Sequence, residues 1–181
     1  MPDDHGVDDR LGVLLAKDEI RDMAMRYALA VDDHDIDTVV GLFTCDGIFD
    51  VSGEIARGHA EIRDSFVASM GRFHTMLHTP EIHLVTIDSS DTAHGRATGH
   101  AELAFRDTLM LTAYRYADRY ARVAGHWRFA ERRVRFMYAV PAESMNTSFR
   151  TRQRIRWPQT RHRDADYPES APTWTTFRDN R

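Results

Sequence analysis

One aspartate and one histidine could move protons together. Asp32 lies four residues after Ala28, so it borders the apolar face of a helical pattern. A carboxylate beside an apolar pocket is desolvated and can serve as a base. His78 lies just before a strand-like segment, and an imidazole within reach of Asp32 would be oriented by it and transfer protons near neutral pH. Each residue also has a structural reading: Asp32 could help to end the helix, and His78 could cap a backbone group in a loop.

Tyrosines could supply hydrogen-bond donors to the same site. Tyr27 lies on the apolar stripe, where it either packs in the core or polarises a substrate oxygen. Four polar residues share one face of a later segment by period two: Tyr114, Tyr116, Asp118 and Tyr120. That face either lines a pocket or contacts another subunit. We expect Asp118 to pair with Arg132 or Arg133 on the next strand.

Three histidines, His74, His78 and His83, raise the possibility of a metal site. His74 and His78 have a four-residue spacing that suits metal ligands on a helix. However, Gly71 is expected to end the helix before both, and no HExxH-type motif accompanies them. The sequence also lacks GxSxG, P-loop and GxGxxG motifs. We therefore expect neither a metal nor another cofactor.

Composition narrows the class of protein. The 181 residues are 42% hydrophobic and 29% charged, which indicates one globular domain with a tail. The chain has no apolar run long enough to span a membrane and no signal-peptide pattern at its acidic N-terminus, so we expect a cytoplasmic protein. A single cysteine, Cys45, excludes an internal disulfide framework. The net charge of −4 argues against a nucleic-acid-binding domain.

The periodicity of apolar residues predicts helices first and long strands later. Three helices are expected at 18–31, 36–43 and 59–70, the second capped by Asp35. A short strand is expected at 48–51, and later strands at 82–87, 92–105, 109–123 and 127–140. This order predicts an α+β fold, a cone-shaped barrel in which three N-terminal helices pack on a curved, mostly antiparallel sheet that encloses an apolar pocket. We assign residues 1–15 to an N-terminal arm, 16–140 to the domain and 141–181 to a C-terminal arm.

The C-terminal arm is rich in arginine, with six between residues 150 and 163, interleaved with Phe149, Ile155 and Trp157. Arginines mixed with aromatic residues can bind nucleic acid. Because the whole chain is acidic, we instead expect an arm that wraps the domain or a partner subunit, with its arginines paired to the acidic surface. Such an arm could also cover the mouth of the pocket and exclude water.

Several segments resemble SnoaL-like domains of the nuclear transport factor 2-like superfamily. The matching segments are Tyr27–Asp37, Leu42–Asp50, Gly58–Ile62, Tyr116–Tyr120 and Gly125–Arg132. The resemblance implies the cone fold, and relatives include scytalone dehydratase, bile-acid dehydratases, ketosteroid isomerases, polyketide cyclases and non-enzymatic domains. In the dehydratase-like branch, the residues matching Tyr27, Asp32 and His78 line the pocket. Many relatives carry an asparagine four residues after that histidine, where this chain has Ile82.

The resemblance implies a cofactor-independent acid–base enzyme, a dehydratase acting on a hydrophobic hydroxylated carbonyl compound. Asp32, His78 and Tyr27 are the expected catalytic residues, and the expected substrate-binding residues are His100, Tyr114, Tyr116 and Phe43. The alternatives are an isomerase or cyclase with the same site, and a non-catalytic ligand-binding or assembly module. We expect a small hydrophobic molecule as ligand, no membrane or nucleic-acid partner, and a homodimer or homotrimer.

Overall fold

A computed structural model describes residues 4–180 as helices followed by a long-stranded sheet. The helices are α1 (Asp4–Asp32), α2 (Ile36–Gly41), α3 (Gly58–Met70), α4 (Met145–Ser148) and α5 (Pro172–Asp179), with a 3₁₀ turn at Ala142–Ser144. The strands are β1 (Phe43–Val51), β2 (Glu54–Arg57), β3 (Thr75–Ile87), β4 (Thr92–Phe105), β5 (Thr108–Val123) and β6 (His126–Pro141). Within these residues, no helix is long and apolar enough to cross a bilayer.

The six strands form one curled, open sheet in the order β2-β1-β6-β5-β4-β3. All neighbouring pairs are antiparallel except β1 and β6. Helices α1 and α3 pack on the sheet, and the main apolar core lies between them and its concave face. Trp127 and Phe129 belong to this core, as expected. The predicted α+β cone is confirmed, as an open sheet rather than a closed barrel.

Helix α1 ends in a way that leaves Asp32 free to reach the sheet. His34 adopts a positive φ of 58°, and the backbone N–H groups of His34 and Asp35 donate to the carbonyls of Val31 and Ala30. These bonds form a Schellman motif, which satisfies the last carbonyls of the helix. The helix also continues back to Asp4, so most of the predicted N-terminal arm is helical, while residues 1–3 lie outside the described residues.

Strands β1 and β3 begin earlier than the sequence pattern indicated. Strand β2, which was not predicted, follows a hairpin turn in which Ser52 and Gly53 have φ of 52° and 98°. Strand β3 begins at Thr75 rather than near residue 82. His78 therefore lies inside a strand instead of preceding one. The pairing of β3 with β4 also shifts register between Pro80 and His83.

The C-terminal arm folds on itself and along β6. Arg154 pairs with Glu169 at 2.8 Å, and Arg152 pairs with Asp164 at 3.2 Å. The arginines of these two pairs thus bind carboxylates of the arm itself, and not the acidic surface of the domain as expected. Trp157 packs against Phe136 of β6, with ring centroids 5.8 Å apart.

Candidate active site

Asp32 and His78 form a close hydrogen-bonded pair between the end of α1 and strand β3. His78 Nδ1 lies 2.6 Å from Asp32 Oδ1, and the backbone N–H of His78 donates to Oδ2 at 2.8 Å. Both side chains are 15% exposed, so the pair is shielded yet reachable. A carboxylate only accepts hydrogen bonds, so the ring nitrogen facing it carries the proton. Nε2 is then the nitrogen that can accept a proton from a substrate.

The position of Asp32 breaks a local rule of helix stability. A carboxylate in the last turn of a helix faces the negative end of the helix dipole, which disfavours it. The last turn of α1 contains no basic residue. The compensating donors come from the backbone and ring of His78 across the domain. Local rules are often broken at functional sites, so this misplaced charge is a signal available from the sequence.

A narrow cleft lies beside the pair, between α1 and the strands β3, β4, β5 and β6. Its polar lining consists mainly of Tyr27, His78, Glu81, His83, Thr98, Tyr114, Tyr116 and Arg132. The cavity volume is about 20 Å³, little more than the space one water molecule requires. The expected apolar pocket is a tight cleft in the structure, because tyrosines and an arginine fill the concave face. No residue of the C-terminal arm lines it.

Three tyrosines form a connected group on the floor of the cleft. Burial raises the pKa values of Tyr27, Tyr114 and Tyr116 above their ordinary value, so all three stay protonated. The ring centroid of Tyr116 lies 4.9 Å from that of Tyr114 and 6.3 Å from that of Tyr27. A protonated phenol hydroxyl can donate one hydrogen bond. The group can therefore offer a hydrogen bond to an oxygen in the cleft.

Arg132 is the buried charge beneath the tyrosines. Its Nε and Nη2 donate to the two oxygens of Asp118, each at 3.1 Å, which fulfils the expected cross-strand pairing. Burial opposes the charge of Arg132, but Asp118 and the neighbouring tyrosines together outweigh this effect and raise its pKa, so the guanidinium stays cationic. The guanidinium carbon lies 3.7 Å from the ring centroid of Tyr116 and 4.3 Å from that of Tyr27. Its Nη1 is buried without a hydrogen-bond partner among the described residues.

From the sequence, Arg132 was expected only as an ion-pair partner, and its position in the cleft was not predicted. Its Nη1 adds an unpaired donor next to the tyrosines. The alternation of Tyr114, Tyr116 and Asp118 on β5 placed all three on one face, and the structure shows that this face lines the cleft. The cross-strand partner of Asp118 on β6 is Arg132, which therefore shares that side. The pairing of Asp118 with Arg132 in the register of β5 and β6 was therefore the signal that could have placed Arg132 in the cleft.

Two expected substrate contacts lie outside the cleft. His100 is half exposed on the other face of β4, where its Nδ1 lies 3.0 Å from Glu81. Phe43 is buried in the core behind the cleft, edge-on to Tyr27 with ring centroids 6.4 Å apart. The structure therefore brings together Tyr27, Asp32, His78, Tyr114 and Tyr116, and leaves out the other two. No group of three possible metal ligands occurs in residues 9–180, whose side chains the structure describes.

The curled α+β fold, with a paired aspartate and histidine beside a small cleft, is typical of cone-shaped domains that bind small molecules. A comparison with protein families identifies the family within that class. The SnoaL-like domain family matches residues 12–133. The chain therefore belongs to the SnoaL-like domain family, and the resemblance found in the sequence is confirmed. No curated protein matches the chain.

Solved structures support the same fold. A hexachlorocyclohexane dehydrochlorinase, LinA-type3, from Novosphingobium barchaimii is 20% identical with a TM-score of 0.70, over 75% of this chain and 96% of that one. A scytalone dehydratase-like protein from Novosphingobium aromaticivorans is 19% identical with a TM-score of 0.67, over 71% and 89%. An NTF2-like protein with a cystatin-like fold from the latter organism is 25% identical with a TM-score of 0.62, over 76% and 92%.

Proposed function

We propose that this protein is a cofactor-independent acid–base enzyme, a dehydratase acting on a hydrophobic hydroxylated carbonyl compound such as a steroid, a polyketide or an aromatic catabolite. The observation that carries the proposal is the 2.6 Å contact between Asp32 and His78 beside the cleft. It holds the imidazole with Nε2 as the basic atom. Two of the similar structures bear the names of a dehydratase-like protein and a dehydrochlorinase, and both names describe eliminations.

The proposed reaction has two proton transfers. His78 Nε2 removes a proton from the carbon next to the carbonyl, so the C–H bond breaks, an N–H bond forms and an enolate develops. The imidazolium is stabilised by Asp32. It then returns its proton to the hydroxyl on the next carbon, the C–O bond breaks, and water leaves. The product is a carbonyl conjugated to a new double bond, and the enzyme regains its starting protonation.

The enolate oxygen needs hydrogen-bond donors that are already in place. A protonated hydroxyl from the group of Tyr27, Tyr114 and Tyr116 provides one, and the unpartnered Nη1 of Arg132 provides another. Donors fixed in a site with little water stabilise developing charge without reorganising. Tyr27 acts within this group of tyrosines and not as an isolated donor, because its ring packs edge-on against that of Tyr116 with centroids 6.3 Å apart.

Substrate entry requires the cleft to widen from its volume of about 20 Å³. Two of its lining side chains, Met25 and Ile82, are 39% and 60% exposed. Exposed side chains can change rotamer in picoseconds to nanoseconds, and methionine adapts readily to new shapes. These two residues therefore form the mouth that opens for a ligand.

The test is exchange of the protons beside a ketone carbonyl in deuterium oxide, followed by NMR on a panel that includes tetralone. Exchange reports proton abstraction alone and needs no knowledge of the natural substrate. We expect His78→Gln and Asp32→Asn to slow exchange by about 10²–10⁴-fold. His94→Gln is the matched control, because His94 pairs with Asp88 at 2.9 Å on the exposed surface.

The outcomes separate the possible functions. A wild-type rate no higher than that of His78→Gln across the panel contradicts an enzyme and favours a non-catalytic module. Exchange accompanied by migration of a double bond, without loss of water from hydroxylated ketones, favours an isomerase that uses the same first step. Exchange with loss of water supports the dehydratase.

A further inference from the structure

His83 is a second histidine on the wall of the cleft, five residues after His78 on β3. In a regular strand, residues five apart point to opposite faces. Pro80 pairs with Gly99 and His83 pairs with Ala97, so three steps on β3 match two on β4. This bulge adds one residue to β3 and returns His83 to the face that His78 occupies.

One ring nitrogen of His83 has a partner and the other does not. Nε2 lies 2.8 Å from the hydroxyl oxygen of Tyr120. Nδ1 is buried without a hydrogen-bond partner in the part of the chain that the structure describes. A buried polar atom without a hydrogen-bond partner destabilises the folded protein. An unpaired atom on the wall of a cleft is therefore a candidate contact for a bound molecule.

The buried network fixes where the proton of His83 lies. Asp118 accepts hydrogen bonds from Arg132, and the hydroxyl of Tyr120 lies 3.0 Å from Asp118 Oδ2. Burial raises the pKa of Tyr120 well above its ordinary value, so the hydroxyl keeps its proton and donates it to the carboxylate. Its oxygen can then only accept from His83. Nε2 therefore carries the proton, and Nδ1 holds a bare lone pair.

The ring of His83 is neutral near neutral pH. Burial, reinforced by the nearby charge of Arg132, lowers the pKa of His83 to about 4. A neutral ring with its proton on Nε2 offers only an acceptor at Nδ1. The group that satisfies it must be a hydrogen-bond donor, and a hydroxyl group is the donor that fits a hydrophobic substrate.

We infer that His83 Nδ1 accepts a hydrogen bond from a substrate hydroxyl and thereby selects hydroxylated substrates over analogues that lack this group. The inference rests on the proposed function at His78, because it assigns recognition to a second point of the same cleft. Strand geometry places the two Cα atoms roughly 13–16 Å apart, at about 3.3 Å per residue. The hydroxyl bound by His83 is therefore distinct from the group that reacts at His78, and the substrate is elongated.

The first experiment uses the wild-type protein with isotope-labelled histidine nitrogens. The probes are a tetralone that carries a hydroxyl group on its aromatic ring and unsubstituted tetralone. We expect NMR to show an unprotonated Nδ1 on His83 in the free protein, and a shift of that resonance only with the hydroxylated probe. A proton on Nδ1, or a resonance that the hydroxylated probe does not move up to its solubility limit, overturns the inference.

The second experiment compares binding of the two probes by variants. The wild type should bind the hydroxylated probe about three- to tenfold more tightly, the range that one hydrogen bond supplies. His83→Phe should abolish this preference, whereas His83→Asn, which keeps an acceptor near the position of Nδ1, should restore part of it. His94→Gln, the surface control, should behave as the wild type.

These results can be separated from a failure of the proposed function. His78→Gln should lose proton exchange but keep the preference for the hydroxylated probe. If the wild type catalyses no exchange while His83→Phe still loses the preference, the proposed reaction fails and the role of His83 stands. If exchange occurs and His83→Phe keeps the full preference, the role of His83 is overturned.

Discussion

His78 and His83 lie on the same strand and line the same cleft, but their partners make them chemically different. His78 Nδ1 lies 2.6 Å from the carboxylate oxygen Oδ1 of Asp32. His83 Nε2 lies 2.8 Å from the hydroxyl oxygen of Tyr120. The carboxylate can stabilise a positive charge that develops on His78, whereas His83 lies beside the cation of Arg132 and stays neutral. The difference shows that the partner of a histidine decides whether it transfers protons or only accepts a hydrogen bond.

The two carboxylates behind these histidines differ in the same way. Asp32 is partly exposed and holds one histidine, whereas Asp118 is fully buried and neutralises Arg132. We predict that Asp118→Asn lowers the free energy of unfolding by about 3–5 kcal/mol, because it leaves a buried guanidinium unpaired. Asp32→Asn should lower it by no more than about 1–3 kcal/mol. Urea unfolding measures both, and equal losses would contradict the division between a catalytic and a structural carboxylate.

Two glycines on β4 provide matched ways to disturb each histidine. A Cβ at Gly99 would lie 2.6 Å from the hydroxyl oxygen of Tyr114, and a Cβ at Gly95 would lie 3.1 Å from that of Tyr120. Both would also press on β3, at 2.9 Å from the carbonyl of Thr79 and 2.7 Å from that of Leu84. We predict that either alanine substitution costs about 1–3 kcal/mol of stability through overpacking.

The functional effects of the two substitutions should diverge. Gly99→Ala displaces Tyr114, whose ring centroid is 6.1 Å from that of His78, so it should slow proton exchange. Gly95→Ala displaces Tyr120, so it should weaken the preference for the hydroxylated probe while exchange continues. Exchange and binding assays on both variants test this pairing. Identical effects on the two assays would show that the cleft responds as a unit.

The sequence predicted the pairing of Asp32 with His78 but not the role of His83. Periodicity placed Asp32 beside the apolar face at the end of a helix, and the resemblance to SnoaL-like domains implied that Asp32 and His78 line the same pocket. The place of His83 depends on the bulge after Pro80, which reverses the alternation of β3. No local sequence pattern indicates this extra residue in β3, so the sequence suggests His83 only as a possible metal ligand.

The position of His100 outside the cleft can be explained from the sequence. Small residues alternate along β4, and they lie on the side where the tyrosines of β5 need space: Gly95, Ala97, Gly99 and Ala101. His100 falls between two of them and therefore points to the other face. The spacing of small residues was a better guide to the cleft than the chemical type of His100. The position of Arg132 in the cleft was not predicted for a different reason. A buried arginine can be recognised in a sequence only when its ion-pair partner is known to be buried.

The last prediction concerns the contribution of His83 to the pH dependence of stability. Its pKa is about 4 in the folded protein and 6.5 ordinarily. Between these values the unfolded chain binds a proton that the native ring does not, so the free energy of unfolding falls as the pH is lowered through this window. Above pH 6.5 both states are neutral at this site, and the contribution vanishes. His83→Phe should therefore show a flatter dependence of stability on pH than the wild type between about pH 6.5 and 4.

Many carboxylates also titrate in this window, so the informative quantity is the difference between variant and wild type in urea unfolding at each pH. His94→Gln removes an exposed histidine and serves as the control for the change in composition. A slope unchanged by His83→Phe would mean that the native ring takes up a proton as easily as the unfolded chain. His83 and His78 would then differ only in their position and hydrogen-bond partners. A His83 ring that readily takes up a proton would be able to donate a hydrogen bond as well as accept one.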